Sequence, residues 1–111
     1  MDIVLNKENK SYAIKVEARE EGKILGSAYL YIMFNDLHKE PFGFLENVFV
    51  KEGYRGKGVG SKLVEAVIAE AKKQNCYKII CTSRYENSKV HAFYSKFGFK
   101  DCGKEFRMDL L

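Results

Sequence analysis

The stretch Glu46-Asn-Val-Phe-Val-Lys-Glu-Gly-Tyr-Arg-Gly-Lys-Gly-Val-Gly-Ser-Lys-Leu-Val64 decides how this chain is organised. An apolar run ends in it, a loop with four glycines follows, and an amphipathic helix pattern begins at once. Glycine can adopt backbone angles that are closed to other residues, and it lets a ligand approach the main chain. Amides left unpaired at the start of the next helix, with the positive end of the helix dipole behind them, suit an anion such as a phosphate.

Two common phosphate-binding motifs are excluded by the spacing of the glycines. A P-loop that begins at Gly53 reaches Gly58 in register, but the lysine that should follow is Val59. A dinucleotide-binding fingerprint that begins at Gly56 would need a glycine where Ser61 stands. The loop therefore predicts a phosphate-binding turn of another kind.

The segment Arg55-Gly-Lys-Gly-Val-Gly60 resembles the pyrophosphate loop of the GNAT N-acetyltransferase superfamily, whose pattern is Gln/Arg-x-x-Gly-x-Gly/Ala. Arg55, Gly58 and Gly60 match that pattern in full. A second block, Asn87 to Phe99, is similar to the family's later motif: an asparagine, a tyrosine seven residues on, and then Gly-Phe. The resemblance covers roughly residues 42–110 and implies acetyl-CoA as cosubstrate, with a primary amine of a small molecule or peptide as acceptor.

Length and composition predict a single domain over residues 1–111. The chain has 111 residues, of which 46% are hydrophobic and 31% charged, as is ordinary for a globular domain. No apolar run approaches a membrane span and no signal peptide is recognisable, so we expect a cytoplasmic protein without a membrane partner. The net charge of +4 comes without a basic run, which argues against nucleic acid. Three cysteines without metal-ligand spacing predict free thiols and no metal site.

Hydrophobic periodicity predicts an α/β (α+β) fold with a mixed, mostly antiparallel GNAT-like sheet and two principal helices. The expected order is β-β-β-β-α-β-α-β-β. The strands are expected at 2–6, 12–19, 24–34, 42–50 and 77–82, with a C-terminal hairpin at 99–102 and 105–110. Gly22 suits the first hairpin turn, Gly26 indicates a bulge, and Gly98 suits the end of the second helix. The run from Phe42 to Val50 is expected to be a central strand covered on both faces.

GNAT domains usually carry one or two helices between their first two strands, whereas here that interval is only a turn. The resemblance therefore implies a minimal version of the fold, with an acceptor side that is open or completed by a second subunit. Because a sheet edge or apolar surface would then be uncovered, we expect a homodimer, formed through the C-terminal strand from Phe106 to Leu110.

Acyl transfer to an amine needs a base, and Glu46 is the only acid in the predicted central strand. A lysine-like amine has a pKa of about 10.4, so a carboxylate that accepts its proton, directly or through water, would favour the reaction. Strand alternation places Glu46 with Phe44, Val48 and Val50, and Asn47 on the opposite face. Aminosugar-phosphate acetyltransferases of this superfamily carry an aspartate where Asn47 stands. The alternative for Glu46 is a structural salt bridge.

The resemblance assigns Tyr94 to the tyrosine that donates a proton to the departing CoA thiolate. Its structural alternative is a core position, because Tyr94 also lies on the apolar stripe of the second helix. Asn87 is either the cap of that helix or a contact to the pantetheine of the cofactor.

The implied cofactor site consists of the glycine loop and the strand before it. Main-chain groups around Phe49 and Val50 would hold the pantetheine like an added strand, and Arg55 would face the diphosphate. Lys57 is expected to contribute its backbone amide. The remaining predicted contacts are Gly56, Gly58, Val59, Gly60 and Ser61.

These features together predict a small acetyl-CoA-dependent N-acetyltransferase that transfers the acetyl group directly in a ternary complex. The alternative is a GNAT-fold module that binds CoA or acetyl-CoA without catalysis. His38 and His91 are each expected at the surface, and nothing in the sequence near Cys81 would activate it as a covalent carrier.

Overall fold

The computed structural model describes all residues from 1 to 111 and confirms the α/β class with a mixed sheet and two helices. Four strands pair in the order β1-β2-β3-β4, with β1–β2 and β2–β3 antiparallel and β3–β4 parallel. The elements are β1 (Tyr12–Glu20), β2 (Lys23–Met33), β3 (Phe42–Val50), α1 (Val59–Lys73), β4 (Ile79–Ile80) and α2 (Ser88–Lys96).

The chain divides into two compact units, Met1–Cys81 and Thr82–Leu111. The first unit contains the whole sheet and α1, and the second contains α2. The single domain expected from the length stays a prediction.

The hairpin of β1 and β2 forms where the sequence pattern places it. Its two-residue turn consists of Glu21 with φ 49° and Gly22 with φ 77°, the two positive angles that a type I′ turn requires. Apolar residues of β1 alternate onto the face that packs on α1, and Tyr12 on that face donates a hydrogen bond of 2.7 Å to Gln74 Oε1. Lys15, Glu17 and Arg19 lie on the other face.

The core lies between α1 and one face of the sheet. Its fully covered side chains come from β2, β3 and one stripe of the helix: Ala28, Leu30, Ile32, Leu45, Leu63, Val64, Val67 and Ala71. The amphipathic pattern expected after the glycine loop is therefore confirmed, with the apolar side chains of α1 against the sheet and Ile68 half-buried. Burying a valine, leucine or isoleucine side chain stabilises the fold by about 1.5–3 kcal/mol, so the packing of α1 on the sheet contributes strongly to stability.

Both helices end in left-handed residues. At the end of α1, Asn75 has φ 63°, its amide donates to Lys72 O, and the amide of Cys76 donates to Ala71 O. This pair of hydrogen bonds is a Schellman motif. The same motif ends α2 at Gly98, with φ 96°, which confirms the predicted stop.

Three predicted strands are not formed, and a fourth is shortened. Residues 2–6, 99–102 and 105–110 have no strand partner in the structure, and the apolar side chains at 3–5 and at 106, 108 and 110 are exposed. Alternation alone does not make a strand, because a strand also needs an edge with which to pair. β4 retains two of the six predicted residues, and Ile80 is exposed rather than buried.

β3 has its predicted bounds, but the expectation that it is covered on both faces was wrong. Gly43 and Leu45 are buried under α1, whereas Glu46, Asn47 and Phe49 are exposed. Within the first unit, the single helix α1 packs on one face of the sheet. At 15 residues α1 is also the longest helix, and no helix here could cross a membrane.

The bulge predicted near Gly26 is confirmed, because the β1–β2 register shifts between Ala18 and Arg19, opposite residues 24–26. At Gly26 the neighbouring strand approaches so closely that a Cβ would stand 2.5 Å from the carbonyl oxygen of Phe49. No real Cβ atom tolerates that distance to a backbone atom, so Gly26 is required by the close contact of β2 with β3.

We therefore expect Gly26→Ala to destabilise the protein by about 1–3 kcal/mol, because β3 must move away from β2 to admit the methyl group. Thermal unfolding measures this as a lower Tm. Gly103→Ala is the matched control, since a Cβ there meets no atom within 4 Å. Equal Tm values for the two variants would contradict this account of Gly26.

Candidate functional site

The glycine loop turns the chain from the end of β3 into α1 through three left-handed residues. Gly53, Gly56 and Gly58 have φ of 91°, 76° and 83°. No protein atom lies within 4 Å of a Cβ built on any of the three, so their backbone angles, rather than crowding, require glycine. The main chain of the loop is consequently open to approach.

The start of α1 presents amides without any side-chain cap. Gly58 is the N-cap residue, and the first helical hydrogen bond runs from the amide of Lys62 to Gly58 O at 3.1 Å. The amides of Val59, Gly60 and Ser61 precede that bond and have no partner within the helix. The first turn carries no acidic residue, so no carboxylate of that turn offsets the positive end of the helix dipole. This arrangement favours an anion.

The loop contains the cationic side chains of Arg55 and Lys57, and each of them contacts a neighbouring part of the chain. Arg55 Nε donates to the carbonyl oxygen of Val50 at 3.1 Å, which ties the loop back to the end of β3. Its guanidinium forms no ion pair and is exposed. Lys57 Nζ stands 5.7 Å from the ring centroid of Tyr54. The loop therefore adds positive charge to the open amides.

The sheet contains a second bulge, in β3, which changes the residues that share a face with the predicted base. Glu46 pairs with Tyr29, but Phe49 pairs with Ser27, so β3 has one extra residue between these pairs. Asn47 lies in this bulge with φ 55°.

The bulge corrects the prediction for Glu46. Because directly opposite residues share a face, Glu46 lies with Phe44 and Phe49, and Val50 lies on the opposite face with Gly26. The expected grouping of Glu46 with Val48 and Val50 was wrong. The sequence carried one usable signal: an asparagine, which tolerates left-handed angles, in the middle of an apolar strand.

The structural alternative for Glu46 was a salt bridge, and the structure does not form one. Its carboxylate is exposed, with no ion pair and no hydrogen bond. Tyr29 on β2 lies directly across from Glu46, and hydrophobic periodicity alone could not have predicted this pair.

One edge of β3 has no strand partner along most of its length. β4 pairs only with Gly43 and Phe44, so residues 45–50 have no strand on that side. An unpaired edge offers backbone donors and acceptors to an extended ligand. Phe49 and Val50 lie at the end of this edge, directly before the glycine loop.

In the second unit, Asn87 is the N-cap residue of α2. Its side-chain oxygen accepts a hydrogen bond of 3.3 Å from the amide of Val90, which is the capping alternative of the two roles expected for it. His91 Nε2 lies 2.7 Å from the carbonyl oxygen of Arg84, which holds the segment before α2 against the helix.

Tyr94 lies on α2 in a cluster of aromatic rings. Its ring centroid is 5.5 Å from that of Phe93 and 5.6 Å from that of Phe99, in edge-to-face arrangements. Phe93 and Phe97 form a further such pair. These half-buried rings fix the orientation of the tyrosine ring.

The thiols of Cys76 and Cys81 and the imidazole of His38 do not form a reactive site. Burial raises the pKa of the Cys81 thiol to about 11 and also raises that of Cys76. At neutral pH Cys81 is therefore protonated and weakly nucleophilic. His38 stacks on Tyr77 with ring centroids 4.0 Å apart, beside a shallow groove at the far end of α1.

Comparison with known proteins matches residues 2–99 to the acetyltransferase (GNAT) family model. Glucosamine 6-phosphate N-acetyltransferase of Trypanosoma brucei brucei is 34% identical over 90 residues, covering 80% of this chain and 59% of that protein. Aminoglycoside N(6′)-acetyltransferase type 1 of Stenotrophomonas maltophilia is 30% identical over 103 residues, covering 88% and 67%. The chain thus spans between half and two thirds of the length of these relatives.

A solved acetyltransferase structure from Trypanosoma brucei superposes with a TM-score of 0.79 at 31% identity, covering 88% of this chain and 69% of that one. The strand, glycine loop and helix described above lie inside the matched range. The family match covers nearly the whole chain and agrees with the fold, so this protein belongs to the GNAT acetyltransferase family.

Proposed function

We propose that this protein is an acetyl-CoA-dependent N-acetyltransferase that transfers the acetyl group directly to a primary amine in a ternary complex. The observation that carries the proposal is the left-handed glycine turn that presents the uncapped amides of α1 beside the open edge of β3. Family membership supports the same chemistry, and the relatives named above are called N-acetyltransferases.

The loop fits the diphosphate of CoA in both shape and charge. The amides of Val59, Gly60 and Ser61 would donate to phosphate oxygens, and the helix dipole would favour the negative charge. Gly56 and Gly58 leave the main chain open, and the amide of Lys57 lies between them in the turn. The guanidinium of Arg55, whose Nε already donates to Val50 O, would reach the diphosphate through its exposed nitrogens.

The edge of β3 fits the extended pantetheine arm. The unpaired backbone groups between Leu45 and Val50 would bind it as an added strand, with no dependence on side-chain identity. Acetyl-CoA supplies an activated thioester and a thiolate leaving group when it is bound.

Glu46 is our proposed base. Its carboxylate would accept the proton of the acceptor ammonium, directly or through water, and so produce the neutral amine that attacks the acetyl carbon. The new C–N bond forms as the C–S bond breaks, and the proton that the attacking nitrogen then loses balances the one that the departing thiolate gains. An exposed carboxylate without an ion pair is available for this role, which supports the assignment.

Tyr94 is our proposed acid. Its hydroxyl would donate a proton to the departing thiolate, since the pKa of a phenol, about 10, is close enough to that of a thiol for transfer at modest cost. The aromatic cluster around its ring supports a fixed orientation for the hydroxyl.

A homodimer in the cytoplasm is our further proposal. The support for self-association is the C-terminal segment, in which Phe106, Met108 and Leu110 alternate with polar residues and are 92%, 81% and 84% exposed. Such a segment has the alternation of a strand but no strand partner, and the edge of a second copy would provide one.

We expect acetyl-CoA to raise the Tm of the wild-type protein, because a ligand that binds the folded state stabilises it. Gly58→Ala should abolish the shift, since an L side chain strains the left-handed N-cap that positions the amides of α1. Gly22→Ala is the matched control: it introduces the same strain, with φ 77°, in the β1–β2 turn.

The control should lower the Tm without acetyl-CoA but retain the ligand-induced shift. An unshifted wild-type Tm at millimolar acetyl-CoA would refute the loop assignment. A shift without any release of CoA thiol across a panel of amines would instead support the non-catalytic CoA-binding module.

Glu46→Gln should lower kcat at neutral pH by roughly 10²–10⁴-fold, because the variant retains the shape but cannot accept the amine proton. Raising the pH supplies free amine without help, so part of the rate should return. Thiol-release kinetics between pH 7 and 10 measure this. Glu65→Gln, an exposed acid on α1, is the control. A rate deficit that is the same at every pH would remove Glu46 as the base.

A further inference from the structure

We propose that the acceptor amine binds on the sheet face that carries Glu46, and that this acceptor bears an anionic group in addition to its amine. The inference rests on the proposed acetyltransferase function and assigns both a binding surface and a substrate class to it. It uses residues of β1 and β2 that the proposed chemistry does not involve.

The register of the strands puts three side chains in one row across this face. Lys15 on β1 pairs with Tyr29 on β2, and Tyr29 pairs with Glu46 on β3. Neighbouring strands lie about 4.8 Å apart, so Lys15 and Glu46 are separated by roughly 10 Å along the row. That span suits a molecule of about the size of one sugar ring with its substituents.

Aromatic rings occupy the middle of the surface. Tyr29 and Tyr31 stack with centroids 5.9 Å apart and an interplanar angle of 13°, and Phe44 meets Tyr31 edge-on at 6.3 Å. The two tyrosines are half-buried, so part of each ring is accessible. A tyrosine presents an apolar ring and a polar tip, which suits a carbon skeleton that bears hydroxyl groups.

The two ends of the row carry opposite charge. At the β3 end, Glu46 is an exposed carboxylate without a partner. At the β1 end, Lys15 and Arg19 share one acid: Glu17 lies 2.6 Å from Arg19 Nη2 and 3.8 Å from Lys15 Nζ. The hydrogen bond from Arg19 holds the pKa of Glu17 below its usual range, so this acid is ionised at neutral pH. On this face of β1, the side chains of Lys15, Glu17 and Arg19 together carry one net positive charge.

This polarity orients the acceptor. Its ammonium would lie at Glu46, its carbon skeleton against Tyr29 and Tyr31, and its anionic group near Lys15, whose Nζ is 5.8 Å from the Tyr29 ring centroid. An acceptor with a positive charge at each end would place one of these charges against the net positive charge on this face of β1. The surface therefore favours an amine with an anionic substituent over a polyamine.

Glucosamine 6-phosphate and glucosamine test this directly, because they differ only in the anionic group. Titration calorimetry with the CoA-saturated protein should show the phosphorylated sugar binding about tenfold more tightly, as expected for one charge-assisted contact. Lys15→Met, which retains an apolar stem, should remove that preference. Lys73→Met, on α1, should retain it. Tyr29→Leu should weaken the binding of both sugars.

Equal affinity of the wild-type protein for the two sugars, or binding of neither, would overturn the proposal. An unchanged preference in Lys15→Met would also overturn it. The Tm shift with acetyl-CoA reports on the proposed function separately, so loss of that shift identifies failure of the cofactor assignment rather than of the acceptor surface.

Discussion

One extra residue in β3 determines how the candidate site is built. The bulge at Asn47 lets Glu46 remain opposite Tyr29 while Phe49 returns to the same face and Val50 turns toward Gly26. The last part of the strand can then approach β2 closely at Gly26 and continue into the glycine loop. The open face thus carries an unpaired carboxylate, and the open edge beside it leads directly to the amides of α1.

The helix α1 has two functions in this arrangement. Its apolar stripe covers the sheet and provides most of the buried contacts, while its uncapped N-terminus provides a positive site for an anion. The left-handed turn at Gly58 connects these two features, because it begins the helix and leaves its first amides without a side-chain cap. Stability and the proposed cofactor binding therefore depend on the same element, and packing along its length holds its first turn in place.

Much of this could be predicted from the sequence because local signals decide it. The I′ turn at Gly22, the glycine loop and the stop at Gly98 each require a residue type that stands out in the chain. The bounds of β3 and the apolar stripe of α1 follow from hydrophobicity and period.

What could not be predicted depends on long-range pairing. The residues that share a face with Glu46 depend on a bulge that shifts the β2–β3 register after it, and the pairing of Lys15, Tyr29 and Glu46 depends on two registers at once. The segments at 2–6 and 105–110 have the composition of strands, but they form none here because no edge of this chain pairs with them. Alternation of apolar and polar residues indicates which side chains could share one face of a sheet. Whether they do so depends on the strand with which the segment pairs.

We propose that the end of β3, the glycine loop and the start of α1 form one binding site for CoA. An NMR titration of uniformly ¹⁵N-labelled protein with CoA tests this site. We expect the largest amide shifts within residues 49–61, above all at Val59, Gly60 and Ser61. Shifts concentrated instead at the far end of α1, around Asn75 and Tyr77, with the loop amides unmoved, would contradict it.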